Sequence, residues 1–157
     1  LETMWASAVS VRLRCGASLF RTGDQVRSMF RVSAGGVRLE RVLPQGSSLT
    51  LHRATSGTII AEASLFAARY HCDAIAEQEA MVAKLPRARV LTQLSDPTSA
   101  RQLLQELTRE VQRARTRAEI LALRTVAERL DAWLEINASG LTDKGTWRRL
   151  AAELAVS

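Results

Sequence analysis

The chain contains little cysteine, and this limits the chemistry open to it. Of its 157 residues, only Cys15 and Cys72 are cysteines, too few for a disulfide framework or for an all-cysteine metal cage within one chain. It also lacks an apolar run near the roughly 20 residues of a membrane span, and it lacks the basic-then-apolar start of a secretion signal. These absences predict a protein of the reducing cytoplasm that has no membrane partner and needs no cofactor.

Aromatic residues make up only 4% of the chain, but 46% of it is hydrophobic and 24% is charged. This composition is typical of one folded domain, or of one domain with an appendage. The 22 basic residues exceed the 16 acidic ones and give a net charge of +6. That excess permits contact with nucleic acid but does not require it. Basic residues exceed acidic ones on both sides of Pro97, so the charge is not a tail.

The first half of the chain has the punctuation of a β-sandwich or barrel, with turn signals about every 8 to 12 residues. Apolar and charged residues alternate over 37–41 and again over 49–52, which predicts a hairpin with one solvated face. Residues 73–76 and 81–85 are further strand candidates. The turn signals are Gly16, Gly23-Asp24, Gly35-Gly36, Pro44-Gln45-Gly46 and Ser56-Gly57.

A segment of small residues, which we call the cassette (residues 58–66), follows the Gly57 turn. Its sequence predicts a strand that opens into a short helix. Backbone N–H groups of Ala63, Ser64 and Leu65 at such a junction would face outward as an anion site. The alternative is a strand-to-helix connection whose small residues serve packing, and the local sequence leaves both open.

A long helix is predicted after Ser95-Asp96-Pro97, which supplies a capping side chain followed by proline at the first helical position. Six apolar residues recur along it at alternating three- and four-residue steps, the pattern of a coiled-coil seam. The alternative is a wider face, including Leu103, Ile120 and Leu123, that packs on the chain's own β domain. The seam residues are Leu104, Leu107, Val111, Ala114, Ala118 and Leu121.

Residues 125–128, Thr-Val-Ala-Glu, form a capping-box pattern within what would otherwise be a helix of about 40 residues. The pattern predicts a hinge there, then a second helix that ends near Asn137–Gly140. A third helix is predicted from Thr146 to Leu154. The alternative is one uninterrupted helix, because threonine is tolerated in a helix and no glycine forces a break.

The order of these pieces resembles the Crp/Fnr family of bacterial transcription regulators, over essentially the whole chain. The resemblance implies an α+β chain: a double-stranded β-helix, jelly-roll-like sensor barrel at 1–96, a dimerisation helix at 97–124, and the start of a winged helix-turn-helix at 125–157. We expect a fragment of a longer protein that ends before the recognition helix. The matching segments are Leu19-Phe20, Gly23-Asp24, Phe30–Val32, Gly35–Leu39, Gly57, Glu62–Phe66, Arg129-Leu130, Trp133-Leu134 and Trp147–Ser157.

The resemblance implies a sequence-specific DNA-binding regulator rather than an enzyme. It would act as a homodimer along the seam, would bind DNA in the full-length protein, and would respond to an unidentified small-molecule effector. Arg148 and Arg149 could contact the DNA backbone at most, or could simply form a solvated helix face. The alternative function is a ligand-sensing module that signals to a partner other than DNA.

The candidate effector-binding residues are Glu62, Ala63, Ser64, Arg69, Cys72 and Asp73. Family members that bind cyclic AMP carry an arginine followed by Ser or Thr for the cyclic phosphate, and here Cys72-Asp73 stands ten residues after Glu62 at that place. A thiol cannot neutralise a phosphate, and a carboxylate repels one. The usual cyclic AMP mode is therefore disfavoured. Arg69 is either a substitute cation or a solvated loop arginine.

Residues 71–73, His-Cys-Asp, suggest a nucleophile or a metal site. Successive strand residues point to opposite faces, so His71 and Cys72 cannot form a dyad in a strand. His52 would complete a metal site only if the fold brought it close. No acid, base and nucleophile converge in the sequence, so we expect neither catalysis nor a metal. Cys72 is open to two interpretations, a redox switch or a small buried apolar residue.

Overall fold

In the described residues of the computed structural model, eight antiparallel β-strands form two four-stranded sheets, ordered β1-β8-β3-β6 and β2-β7-β4-β5. The structure describes residues 2–136, 150, 151 and 154. The chain divides into two units, Leu1–Leu103 and Leu104–Ser157, and the strands belong to the first. The strands are β1 Val9–Leu13, β2 Ser18–Phe20, β3 Ser28–Ala34, β4 Gly36–Val42, β5 Ser48–Thr55, β6 Ile59–Ile60, β7 Asp73–Ala76 and β8 Ala80–Pro86.

The predicted hairpin is present as β4 and β5, which pair with Leu39 opposite His52. Both later strand candidates are also present, as β7 and β8. The β3–β4 turn depends on Gly35, which has φ +78° and approaches the neighbouring chain so closely that a Cβ would collide with the Glu79 carbonyl oxygen. Only glycine fits both requirements.

Apolar side chains fill the space between the two sheets. Val32, Val37 and Val82 are fully buried there, and the Phe20 ring stacks on Tyr70 with ring centroids 4.0 Å apart. The two sheets face each other as a sandwich and do not close into a barrel. With that refinement, the predicted α+β, jelly-roll-like fold class followed by a long helix is confirmed.

Four α-helices are described: α1 Glu2–Trp5, α2 Arg87–Gln93, α3 Pro97–Ala122 and α4 Val126–Ile136. The cap predicted for the long helix is present, because the Ser99 N–H donates to the Asp96 carboxylate at 2.8 Å. Helices α1 and α2 were not predicted from the sequence. Both are short, and α2 has no side-chain cap at Pro86; buried Val90 fixes it by packing instead.

The chain breaks between α3 and α4, so the alternative of one uninterrupted helix is wrong. The predicted capping box forms: the Thr125 N–H donates to the Glu128 carboxylate at 2.9 Å, and the Glu128 N–H donates to Thr125 Oγ1 at 3.2 Å. Arg129 adds a bond from Nε to the Leu123 carbonyl at 2.9 Å. These bonds satisfy backbone groups that a helix break leaves without intrahelical partners.

The second unit has a small apolar cluster of its own. Ile120, Leu150 and Leu154 are buried in it, with Leu130 and Trp133 packed against them. Most of the predicted third helix, Thr146–Leu154, lies outside the described residues, as do Arg148 and Arg149.

Candidate effector site

The cassette has a tightly wound backbone. β6 ends at Ile60, Ala61 adopts a left-handed conformation at φ 72°, and a three-residue 3-10 helix follows over Glu62–Ser64. The predicted strand-then-short-helix order is therefore present. A left-handed backbone costs an alanine roughly 1–2 kcal/mol, so the surrounding structure holds this turn in place. Nothing in the sequence indicated it, because alanine is not a residue that marks such positions.

Of the two interpretations that the local sequence left open, an outward-facing cradle of N–H groups does not hold for two of its three members. The Ser64 N–H donates to the Ala61 carbonyl at 3.1 Å, and the Leu65 N–H donates to the Glu62 carbonyl at 3.0 Å. Both donors are used to close the turn. Packing, the alternative weighed for these small residues, accounts for them better.

Ser64 connects the cassette to the chain that leads back into the sandwich. Its side chain is 1% exposed, and its hydroxyl lies 2.9 Å from His71 Nδ1. Both His71 and Ala63 are exposed. The histidine considered for a nucleophilic or metal role is thus bonded to a buried hydroxyl. Within the described residues, no group of three or more His, Cys, Asp or Glu could hold a metal ion.

Cys72 stands inside the sandwich, 3% exposed, in line with buried Ala74 and Ala76. Burial raises the pKa of its thiol; the nearby carboxylates of Asp73 and Glu62 act in the same direction, and the Arg41 guanidinium opposes them. The thiol therefore stays protonated at neutral pH. Cys72 cannot act there as a cation or as a ready nucleophile.

Arg41 is a site residue that the sequence pattern does not indicate. It lies on β4, and its Nε donates to the His71 carbonyl at 3.3 Å. A cation from β4 thus lies close enough to Cys72 to oppose the effect of Glu62 on its thiol, although the cassette itself supplies no cation. The pairing of β4 with β7 brings it there, and local sequence gives no sign of that pairing.

The Asp73 carboxylate is engaged with the end of β2. It accepts hydrogen bonds from the Thr22 N–H at 2.6 Å and from the Thr22 hydroxyl at 2.8 Å. Asp73 alternates with buried Cys72 and Ala74, so its carboxylate lies on the outer side of β7. The two bonds from Thr22 hold it there.

The segment 68–70 is fastened to the β2–β3 turn, and we call this contact the clasp. The Val26 N–H donates to the Ala68 carbonyl at 3.0 Å, and the Gly23 N–H donates to the Tyr70 carbonyl at 2.9 Å. Arg69 donates from its guanidinium to the Gly23 carbonyl at 2.7 Å. In this position Arg69 is an exposed loop arginine and does not replace the missing phosphate partner.

The long helix has two unlike faces. Leu103 and Ile120, from the wider face weighed as the alternative, are buried, whereas Leu104 is 64% exposed and Val111 49% exposed. Ala114 and Ala118 are exposed as well, and Leu107 and Leu121 are half-buried. An apolar seam is therefore left open to solvent along the predicted line.

The comparisons with known proteins agree with this geometry. The model of the cyclic nucleotide-binding domain matches residues 10–96, more than half of the chain. The chain belongs to the cyclic nucleotide-binding domain family. No curated protein matches it significantly. Among the described helices of this family member, none is both long and apolar enough to cross a membrane.

Solved structures of transcriptional regulators share the fold of this cyclic nucleotide-binding domain protein, which confirms the predicted resemblance to the Crp/Fnr family. FixK2 from Bradyrhizobium japonicum is 18% identical with a TM-score of 0.78, over 96% of this chain and 78% of that one. The N-terminal domain of a transcriptional regulator from Streptomyces coelicolor A3(2) is 27% identical with a TM-score of 0.59, over 73% and 81%. The sensor domain of the regulator DNR from Pseudomonas aeruginosa is 26% identical with a TM-score of 0.61, over 78% and 80%.

Proposed function

We propose that this chain is the effector-sensing and dimerising portion of a cytoplasmic, sequence-specific DNA-binding transcription regulator of the Crp/Fnr type. The observation that carries the proposal is the open apolar seam on α3, directly after a sandwich of the cyclic nucleotide-binding fold. A sensor domain followed by a helix that pairs with a second copy is the arrangement that lets ligand binding act on two DNA-binding units together.

The seam needs a partner for energetic reasons. A helix face that stays in water is normally polar, yet Leu104 is 64% exposed and Val111 is 49% exposed. Burying the exposed half or so of each such side chain is worth about 1 kcal/mol or more, because full burial from water is worth about 1.5–3 kcal/mol. Exposed Ala114 and Ala118 in the middle of the seam allow two helix backbones to approach closely. A second copy of the same seam meets these conditions.

We assign the segments as 1–96 for sensing, 97–124 for dimerisation and 125–157 for the N-terminal part of the DNA-binding domain. The break at Thr125 supports the last boundary, because a new helix starts there with its own cap. Arg148 and Arg149 are assigned contacts with DNA phosphates, which carry no base information.

The effector is a small molecule. It is not cyclic AMP bound in the mode that is usual for the family. Cys72 supplies a buried thiol where a phosphate would need a cation, and Asp73 and Arg69 are each held by the β2–β3 region. Glu62, Ala63 and Ser64 complete the cassette side of the site. Arg41 is the one cation that we assign to its border.

Sedimentation of the chain at tens of micromolar tests the dimer, and selection from random duplex DNA with the full-length protein tests the DNA role. We expect a dimer and an enriched two-fold symmetric sequence. A monomer together with no enriched sequence would overturn the proposal. A dimer without any enriched DNA would favour the ligand-sensing module that signals to another partner.

A further inference from the structure

We propose that the β-sandwich carries a second ligand site, separate from the cassette, which takes a small aromatic carboxylate. A cavity of about 320 Å³ lies where β2 of one sheet approaches β3 and β8 of the other. Its lining residues come from these strands, from the β2–β3 turn and from Tyr70, and so from outside the cassette and α3. The site lies within one copy of the chain and does not depend on the homodimer proposed above.

The floor of the cavity is aromatic. The Phe20 ring stacks with two others: its centroid lies 4.0 Å from that of Tyr70 at an interplanar angle of 17°, and 5.7 Å from that of Phe30 at 25°. All three side chains are buried, so core packing holds the rings in place before a ligand arrives. A set of rings fixed in this way favours a further flat ring packed against it.

The Tyr70 hydroxyl is already engaged with the backbone of β3. It donates to the Ser28 carbonyl at 2.8 Å and accepts a bond from the Ser28 N–H at 3.3 Å. Together with Phe20 and Phe30, the tyrosine therefore presents ring carbon to the cavity. Such a surface suits an apolar aromatic body better than a sugar.

The rim of the cavity carries the charges. Lys84 and Arg27 are exposed cations there, and the carboxylate of Asp24 lies with them. Asp24 is engaged within its own turn, where it accepts a bond from the Arg21 N–H at 2.9 Å. In the described part of the chain, the Lys84 ammonium has no ion-pair partner. Two cations beside one carboxylate leave one positive charge, which a monocarboxylate would neutralise through a charge-assisted hydrogen bond.

Strand pairing brings the cation and the rings together. Lys84 of β8 stands directly opposite Phe30 of β3, so both side chains leave the same face of the sheet. That face is the inner one, because Val82 and Val32, the next pair along it, are fully buried in the core. A carboxylate held by Lys84 therefore places the ring attached to it over the aromatic floor.

Benzoate is the probe for this site. Titrated into the whole chain, it should shift the amide NMR signals of Phe30 and Lys84 saturably, with a Kd of about 1 mM or tighter. Benzyl alcohol has the ring without the charge, and acetate has the charge without the ring. Each should bind at least about tenfold more weakly than benzoate. Saturable shifts confined to the cassette, or equal binding of acetate, would overturn the second site.

Variants separate the contribution of the ammonium from that of the fold. Lys84→Met should weaken benzoate binding about tenfold, and Lys84→Arg should stay within about threefold of the parent because it keeps a cation. Arg89→Met removes an exposed cation outside the cavity and is the matched control, with the affinity of the parent. Parent-like binding in Lys84→Met would overturn the site. A parent that proves monomeric would contradict the proposed function and leave these expectations unchanged.

The scarcity of lysine gives an independent measurement. Lys84 and Lys144 are the only lysines among the 22 basic residues of the sequence, so ¹³C-methylation of the amines yields few NMR signals, and Lys84→Arg identifies the one from the cavity. Benzoate should shift the Lys84 signal and leave the Lys144 signal in place. Equal shifts of both signals would show unspecific ion pairing and overturn the site.

Discussion

Thr125 and Glu128 cap α4 reciprocally, each side chain bonding the other residue's backbone N–H. The Thr125 hydroxyl also donates to the Glu128 carboxylate at 2.9 Å. Two donors from one residue thus converge on one carboxylate at the point where the long helix gives way to the next.

This cap predicts a pH-dependent start of α4. Hydrogen bonds from the Thr125 N–H and hydroxyl lower the pKa of Glu128 below its ordinary 4.5. The cap is therefore complete above pH 4.5 and is lost as the pH falls through the lowered pKa. The protection of the amides of 126–129, taken relative to the intrinsic exchange rate at each pH, should fall on acidification below pH 4.5, and Thr125→Ala should give about fivefold faster exchange than the parent already at pH 7. Equal exchange in Thr125→Ala and the parent would contradict the cap.

The seam prediction concerns Leu107. Leu107→Arg places a charge in an interface that excludes water, and the affinity of the dimer should fall by at least about 100-fold. Sedimentation equilibrium measures the change, with Gln112→Arg on an exposed neighbouring position as control. A Leu107→Arg chain that stays dimeric places the interface elsewhere.

A partly buried ion pair on β4 predicts a stability difference. Arg38 donates to Glu40 at 2.7 Å, and the Glu40 side chain is 11% exposed. This bond lowers the pKa of Glu40 below 4.5, so its contribution is present above pH 4.5 and lost as the pH falls through the lowered pKa. Arg38→Met should lower the free energy of unfolding at pH 7 by about 2 kcal/mol.

The control for that variant is Arg12→Met, which removes the exposed pair with Glu79 at 2.6 Å. An exposed pair is worth less than about 0.5 kcal/mol. Urea unfolding of the two variants side by side checks the difference, and similar losses in both would show that the Arg38 bond does not matter.

The two cysteines should differ in reactivity. Cys15 is exposed and Cys72 is buried, and burial raises the pKa of the Cys72 thiol. Ellman's reagent at pH 8 should modify one thiol quickly and the second at least about 100-fold more slowly unless the chain is unfolded. Cys15→Ser should remove the fast phase and Cys72→Ser the slow one. Rapid modification of Cys72 would revive the redox-switch interpretation.

Cyclic AMP at millimolar concentration should raise the melting temperature by less than about 1 °C. The reason is the missing phosphate partner, since Cys72 is an uncharged thiol and Arg69 is held by Gly23. Isothermal calorimetry provides the second measurement. Tight binding that disappears in Arg69→Ala would show that this arginine turns toward the ligand.

The sequence predicts this fold well wherever a pattern is local. The alternation over 37–41 predicts β4, and the Thr125–Glu128 spacing predicts the end of the long helix, because hairpins and caps are made by neighbours in sequence. It fails where partners are distant. The left-handed Ala61, the approach of Arg41 to His71 and the short helix α2 all arise from tertiary packing that no local pattern encodes.

The clasp between 68–70 and 23–26 also constrains how a ligand could move the cassette. Its bonds join two turns from different parts of the chain, so they travel as one rigid piece. Because β6 is paired with β3 at Ile60 and the clasp holds the chain at Ala68 and Tyr70, a ligand can displace only the segment between these two anchors without breaking one of them.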